Sequence, residues 1–183
     1  INMKKILGLL LGLTAASAFA DNGLYVGVGA GLGWNDIASP AMAFRLDGGY
    51  QITPGFAIEV GTTGITQSGG VVNENVQMYD LSAKGILPLG DMFDIFGQIG
   101  GAYQTPGVAT YNTGAASYAA SNGCLVGGGC PAQQAGWQML VGGGFDINLT
   151  KSVAFNVTDL YYFGSNNALG NSNALLAGMK FAF

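Results

Sequence analysis

The stretch Leu24–Trp34, LYVGVGAGLGW, decides the fold. Its even positions are apolar (Leu24, Val26, Val28, Ala30, Leu32, Trp34), and its odd positions are Tyr25 or glycine (Gly27, Gly29, Gly31, Gly33). Side chains with a period of two stand on opposite faces of a β-strand. Eleven residues is also the length of a tilted strand that crosses a bilayer. One face suits lipid, and the other is narrow enough for a crowded interior.

Seven further runs repeat the theme. Phe44–Ile52 places Arg45, Asp47, Gly49 and Gln51 opposite an apolar face. Phe56–Thr62 puts Ala57, Glu59 and Gly61 inward. Tyr79–Leu87 puts Asp80, Ser82, Lys84 and Ile86 there. Phe93–Tyr103 contributes Phe96, Gln98, Gly100 and Ala102, and Trp137–Ile147 contributes Gln138, Leu140, Gly142, Gly144 and Asp146. Leu175–Phe183 turns Leu176, Gly178, Lys180 and Ala182 inward. Val153–Phe163 starts with Val153, Phe155 and Val157 outward, but parity then sends Asp159 to the lipid side. Either that strand has reached the headgroups there or a bulge shifts its phase.

The connections alternate in length. Thr53-Pro54-Gly55 reads as a three-residue hairpin loop with Gly55 left-handed. Pro88–Met92 and Asn148–Lys151 are the other short turns. Gly64–Asn75, Gln104–Ala135 and Gly164–Asn173 read as loops. An up-and-down barrel then carries every turn on one rim and every long loop on the other, the asymmetry of outer-membrane barrels. The expected fold is all-β, an eight-stranded antiparallel up-and-down transmembrane β-barrel.

Composition fits. Charged residues are 9% of the 183, against roughly 25% in ordinary soluble domains. Beyond the N-terminus no apolar run approaches the ~18 residues of a membrane helix. Alternation reconciles the two facts, and 32 glycines suit curved strands better than helices. At the N-terminus, Met3-Lys4-Lys5, the apolar Ile6–Leu13 and Ala18-Phe19-Ala20 form a secretory leader. The expected division is a cleaved signal peptide over 3–20 and a barrel domain over 21–183. The mature chain keeps four cations against ten acids, a net charge of −6, which argues against nucleic acid as a partner.

Which face meets lipid follows from the polar face. Its few charges are mixed and sit among Gly, Ala, Gln and Ser, which suits a packed interior and not a solvated exterior. Arg45, Asp47, Glu59, Asp80, Lys84 and Lys180 are expected to form one connected ionic network inside. The apolar face carries Trp34, Phe44, Tyr79, Tyr103, Trp137 and Tyr161 near the loop rim. Tyr50, Phe56, Phe93 and Phe183 lie near the turn rim. Two aromatic girdles are what membrane interfaces favour.

The last residues, Gly178-Met179-Lys180-Phe181-Ala182-Phe183, resemble the C-terminal signal of outer-membrane barrels, in which Gly178, Phe181 and Phe183 hold the defining places. With the leader and eight runs, the mature chain resembles the OmpA/OmpX-like family of small porin-like surface proteins. The resemblance implies a Gram-negative outer membrane, export through the periplasm and the barrel assembly machinery as a partner in biogenesis.

Chemistry is sparse. The chain has no histidine, so Ser-His-Asp and Cys-His nucleophile pairs are absent. No enzyme activity, metal or cofactor is expected. Cys124 and Cys130, in the longest outer loop of an exported chain, are expected to form a local disulfide, with two free thiols as the alternative. The expected role is that of an integral outer-membrane barrel, structural or adhesion-type, whose loops meet a host or surface ligand. The alternative is a small porin or a conduit for small or apolar molecules.

Overall fold

The computed structural model describes residues 23–35, 41–67, 72–105, 107–111, 130–133, 135–164 and 171–183. The leader at 3–20 lies outside them. So does Cys124, and with it the Cys124–Cys130 bond. The described residues form ten strands: β1 (Leu24–Asn35), β2 (Ala41–Thr53), β3 (Phe56–Gln67), β4 (Val72–Pro88), β5 (Phe93–Thr105), β6 (Gly107–Tyr111), β7 (Cys130–Gln133), β8 (Gly136–Asn148), β9 (Val153–Gly164) and β10 (Ser172–Ala182).

Eight of these close a barrel. Each pairs antiparallel with its neighbour, β5 pairs β8, and β10 returns to β1. Closure leaves no strand edge for lipid to meet, which a membrane demands because lipid satisfies no backbone hydrogen bond. β6 and β7 extend the wall beyond the loop rim, β6 against the start of β4 and β7 against β6.

The register fixes the size of the barrel. Stepping from partner to partner runs Leu24, Tyr50, Ile58, Ala83, Ile99, Val141, Tyr161, Asn173 and back to β1 at Trp34. One circuit therefore climbs ten residues along the first strand. Eight strands with that stagger lean about 40° from the axis. Ten residues at ~3.3 Å each then rise roughly 25 Å, the height of the apolar band of such barrels.

The outward face is apolar around the wall, with Val60, Leu81, Ile99 and Met139 all half-exposed or more and Trp137 71% exposed. The inward face is buried. Asp159 is outward and exposed, and β9 pairs without interruption on both sides of it. No bulge is present, and Tyr161 and Phe163 stand above it on the same face, so the strand has not reached the headgroups there.

Three sequence expectations need correction. The first hairpin turn is Pro54–Gly55, two residues long, with Thr53 paired to Phe56 and an irregularity between Gln51 and Thr53. The bulge restores the phase that an odd loop was expected to supply. Gly55 is not left-handed, since among the described glycines only Gly23 and Gly90 have positive φ, 66° and 97°.

The third correction concerns the loops, which begin later than the sequence suggested. β3 runs to Gln67 and β4 starts at Val72, while β6 and β7 lie inside the expected Gln104–Ala135 loop. The physical reason is an inversion. Near the loop rim the inward positions become apolar, with Ile65, Val76 and Met78 buried, and the outward ones become Gly64, Thr66 and Gln77. A reading that follows one apolar face loses the strand where that face changes sides.

Candidate functional site

The interior is built by pairing bulk with glycine. Tyr25 and Glu59 both lie opposite Gly49 in the ladder, and the Tyr25 hydroxyl donates to Glu59 over it at 2.9 Å. Asp47 lies opposite Gly27 and Gly61, and Arg45 covers Gly61. Phe96 faces Gly144, and Gln98 faces Gly142. A barrel of eight strands is filled by its own side chains. Large polar groups fit only where the neighbouring strand presents no Cβ.

Arg45 is the hub. It grips Asp80 with both terminal nitrogens, at 2.8 and 2.9 Å. It also reaches Glu59 at 3.0 Å, Asp47 through Nε at 3.3 Å and the Thr63 hydroxyl at 2.9 Å. All five donors of a guanidinium suit such a fork geometry. Lys84 joins through Glu59 at 3.2 Å and sits 3.8 Å above the Phe96 ring, a cation–π contact in a desolvated place. The Tyr162 hydroxyl donates to Thr63 at 2.9 Å. Arg45, Glu59, Asp80 and Lys84 are nearly inaccessible to solvent and Asp47 is partly so, so the cluster holds only because its charges are paired.

Lys180 stands apart from the single network expected from the sequence. Its ion-pair partner is Asp146, and its only described link to the hub is the Tyr25 ring, 5.4 Å away. β10 is two strands from β2 across β1, so Lys180 reaches the acid on its other side. Tyr25, Thr63, Phe96 and Tyr162 complete both clusters and were not singled out from the sequence, and Asp146 was placed inward but left out of the expected network. Their inward parity was the available signal, but a partner across the lumen shows only once the register is known.

Above the ionic layer, toward the loop rim, the lumen turns apolar. Ala43, Ile65, Val76, Met78, Ala102, Leu140, Leu160, Tyr162, Ala174 and Leu176 form one cluster, most of them fully buried. At its top Gln138 donates to Gln104 at 2.8 Å. The lumen thus carries two layers, one of paired charge and one of hydrocarbon.

The expected girdle residues face outward or lie at the rims. Trp34, Phe44, Tyr79, Tyr103, Trp137 and Tyr161 ring the loop side, and Tyr103 packs edge-on against Trp137 at 5.4 Å. Tyr50, Phe56, Phe93 and Phe183 ring the turn side, and Phe93 stacks on Phe145 at 5.5 Å. At the seam, Phe181 faces outward, a Cβ on Gly178 would overlap the Val28 carbonyl, and the Phe183 amide donates to Leu24. Among the described residues no three His, Cys, Asp or Glu side chains converge on a metal position.

A closed eight-stranded wall with an apolar exterior, aromatic rims and paired charges inside defines an outer-membrane β-barrel. The OmpA-like transmembrane domain model matches residues 19–173, and the chain belongs to that family. Its place is the outer membrane of a Gram-negative bacterium. No curated protein matches the chain. Solved structures do. Neisserial surface protein A superposes with a TM-score of 0.68 at 16% identity, covering 88% of this chain and 97% of that one. The N-terminal barrel domain of Pseudomonas aeruginosa OprF gives 0.59 at 15%, covering 87% and 97%. Ail, the attachment invasion locus protein of Yersinia pestis, gives 0.58 at 10%, covering 87% and 96%. At such identities the likeness concerns the fold.

Proposed function

We propose that this protein is a sealed, non-enzymatic surface barrel that acts through what its loops bind. The observation that supports the reading is the pair of buried layers in the lumen, the Arg45 cluster and the apolar layer above it. A pore needs a continuous polar path, and the buried hydrocarbon of Leu140, Leu160 and Met78 interrupts any path past Arg45. Current through planar bilayers tests this. The expected result is no conductance above that of lipid alone, and stable channels in the wild-type protein would favour the small-porin reading instead.

The loop chemistry narrows the ligand. Ail has been solved with the heparin analogue sucrose octasulfate. A polyanion calls for cations, yet the segments 36–40, 68–75, 106–135 and 165–171 contain no lysine or arginine, and their only charges are Asp36 and Glu74. Uncharged polar contacts from Asn, Ser, Thr, Gln and Tyr are the available means. Such binding is insensitive to salt, because screening acts on charges. Bacteria displaying the protein should adhere to a host-cell surface equally at low and high ionic strength, and not to immobilised heparin. Heparin binding that disappears with salt would overturn this ligand class. In biogenesis, removal of Phe183 is expected to lower outer-membrane yield, and intact mass should place the mature N-terminus at Asp21.

A further inference from the structure

Asp159 has no role in the interior. It points outward from β9 into the apolar band, two residues below Tyr161 and four above Phe155 on the same face. At this tilt that is roughly 5 Å beneath Tyr161 of the loop-side girdle and about 10 Å above Phe155. It therefore sits in the hydrocarbon edge of the outer leaflet. An ionisable side chain at such a depth is costly and normally has a dedicated partner. Asn173 on β10 supplies one donor to it, at 2.9 Å.

The wall beside Asp159 is hollow. Its ladder partner on β8 is Gly143, whose own partner is Gly97, whose partner in turn is Gly85. All three glycines are outward, and two of them, Gly85 and Gly97, line a shallow groove of about 430 Å³ on the outer wall, which the ladder through Gly143 joins to Asp159. Phe56, Ala83, Ile99 and Val141 line that groove. A Cβ on Gly97 would find nothing nearer than the Gly142 carbonyl at 3.9 Å, so backbone crowding does not require this glycine. The polar end lies near the headgroups, and the apolar trough descends from it toward Phe56.

We propose that Asp159, Asn173 and this groove form a lateral site for an outer-leaflet lipid whose acyl chain carries a hydroxyl just below its headgroup. The hydroxyl donates to the Asp159 carboxylate, Asn173 holds that carboxylate in place, and the chain lies in the trough. A plain acyl chain fills the trough but leaves the carboxylate facing hydrocarbon. A second copy of the chain is less suited, because its own outer wall at this depth offers mostly aliphatic groups.

The test uses the full mature barrel in nanodiscs containing lipid A with 3-hydroxyacyl chains, its 3-deoxy counterpart and a phosphatidylglycerol of equal chain length. Native mass spectrometry reads the lipid retained. The wild-type protein should keep the hydroxylated form at least fivefold over the deoxy form. Asp159→Ala and Asn173→Ala should bring the ratio near one. Gly97→Val, which fills the trough, should reduce retention of all three lipids. The heat-dependent gel shift confirms that each variant is folded, and Asp159 faces outward, so its removal opens no internal cavity. Three outcomes overturn the site: equal retention of hydroxylated and deoxy lipid A by the wild type, which would assign binding to the headgroup phosphates; a preference that survives Asp159→Ala; or a dimer that Asp159→Ala abolishes, which would assign the face to a second copy.

Discussion

The glycines of the inner wall and those of the outer wall have opposite reasons to be there. A Cβ on Gly100 would overlap the Leu81 carbonyl, and one on Gly31 would overlap that of Leu175. These inward positions are closed by neighbouring backbone, where a coiled wall of small radius brings strands together. Gly85 and Gly97, on the outside of the same wall, meet only a carbonyl at 3.9 Å. Curvature crowds the concave side and opens the convex side. Glycine at 31 and 100 is thus a steric requirement, whereas glycine at 85 and 97 leaves a hollow that the fold does not need.

Substitutions sharpen this contrast, beginning with the largest effect. Arg45→Ala removes the partner of Asp47, Glu59 and Asp80 at once, and a broken buried ion cluster costs about 3–5 kcal/mol. Urea titration of the reconstituted barrel should show that loss. The same variant should still conduct no current, because the apolar layer above remains. Channels appearing in Arg45→Ala would make the ionic cluster the sole seal.

Gly100→Ala comes next, at about 1–3 kcal/mol for an overpacked position that backbone must yield to. A variant as stable as wild type would break the inner half of the comparison. Lys180→Ala leaves Asp146 buried without its cation and should cost about 2 kcal/mol, less than Arg45→Ala because one pair is lost instead of three. Gly97→Ala should change stability by no more than about 0.5 kcal/mol, and a large loss there would break the outer half. Lys151→Ala, in an exposed turn, should leave the unfolding midpoint where it is.

The eight wall strands were legible because lipid imposes one rule on each outward position between Leu24 and Phe183. Where the rule lapses, legibility lapses with it. At Ile65, Val76 and Met78 the apolar residues cross to the inside, so the ends of β3 and β4 read as loop. Arg45, Asp47 and Glu59 could be placed inside by parity alone. The pairing of Lys180 with Asp146 could not, because parity gives the face and only the register gives the neighbour. The match of Gly49 to Tyr25 and Glu59 is equally invisible until strands 1, 2 and 3 are aligned.

The seam between β1 and β10 has one more consequence. It is paired over eleven residues, like the other seams, and residues 24 and 183 meet at one rim, where the Phe183 amide donates to the Leu24 carbonyl. Nothing in the finished wall distinguishes this joint from the others, so the ends could be relocated to the Pro54–Gly55 turn with residues 23 and 183 tethered. Such a circular permutant would keep every ladder but bury Gly178, Phe181 and Phe183 in mid-chain. It would separate the final strand as masonry from the same strand as an address label, the second duty being the one that removal of Phe183 tests.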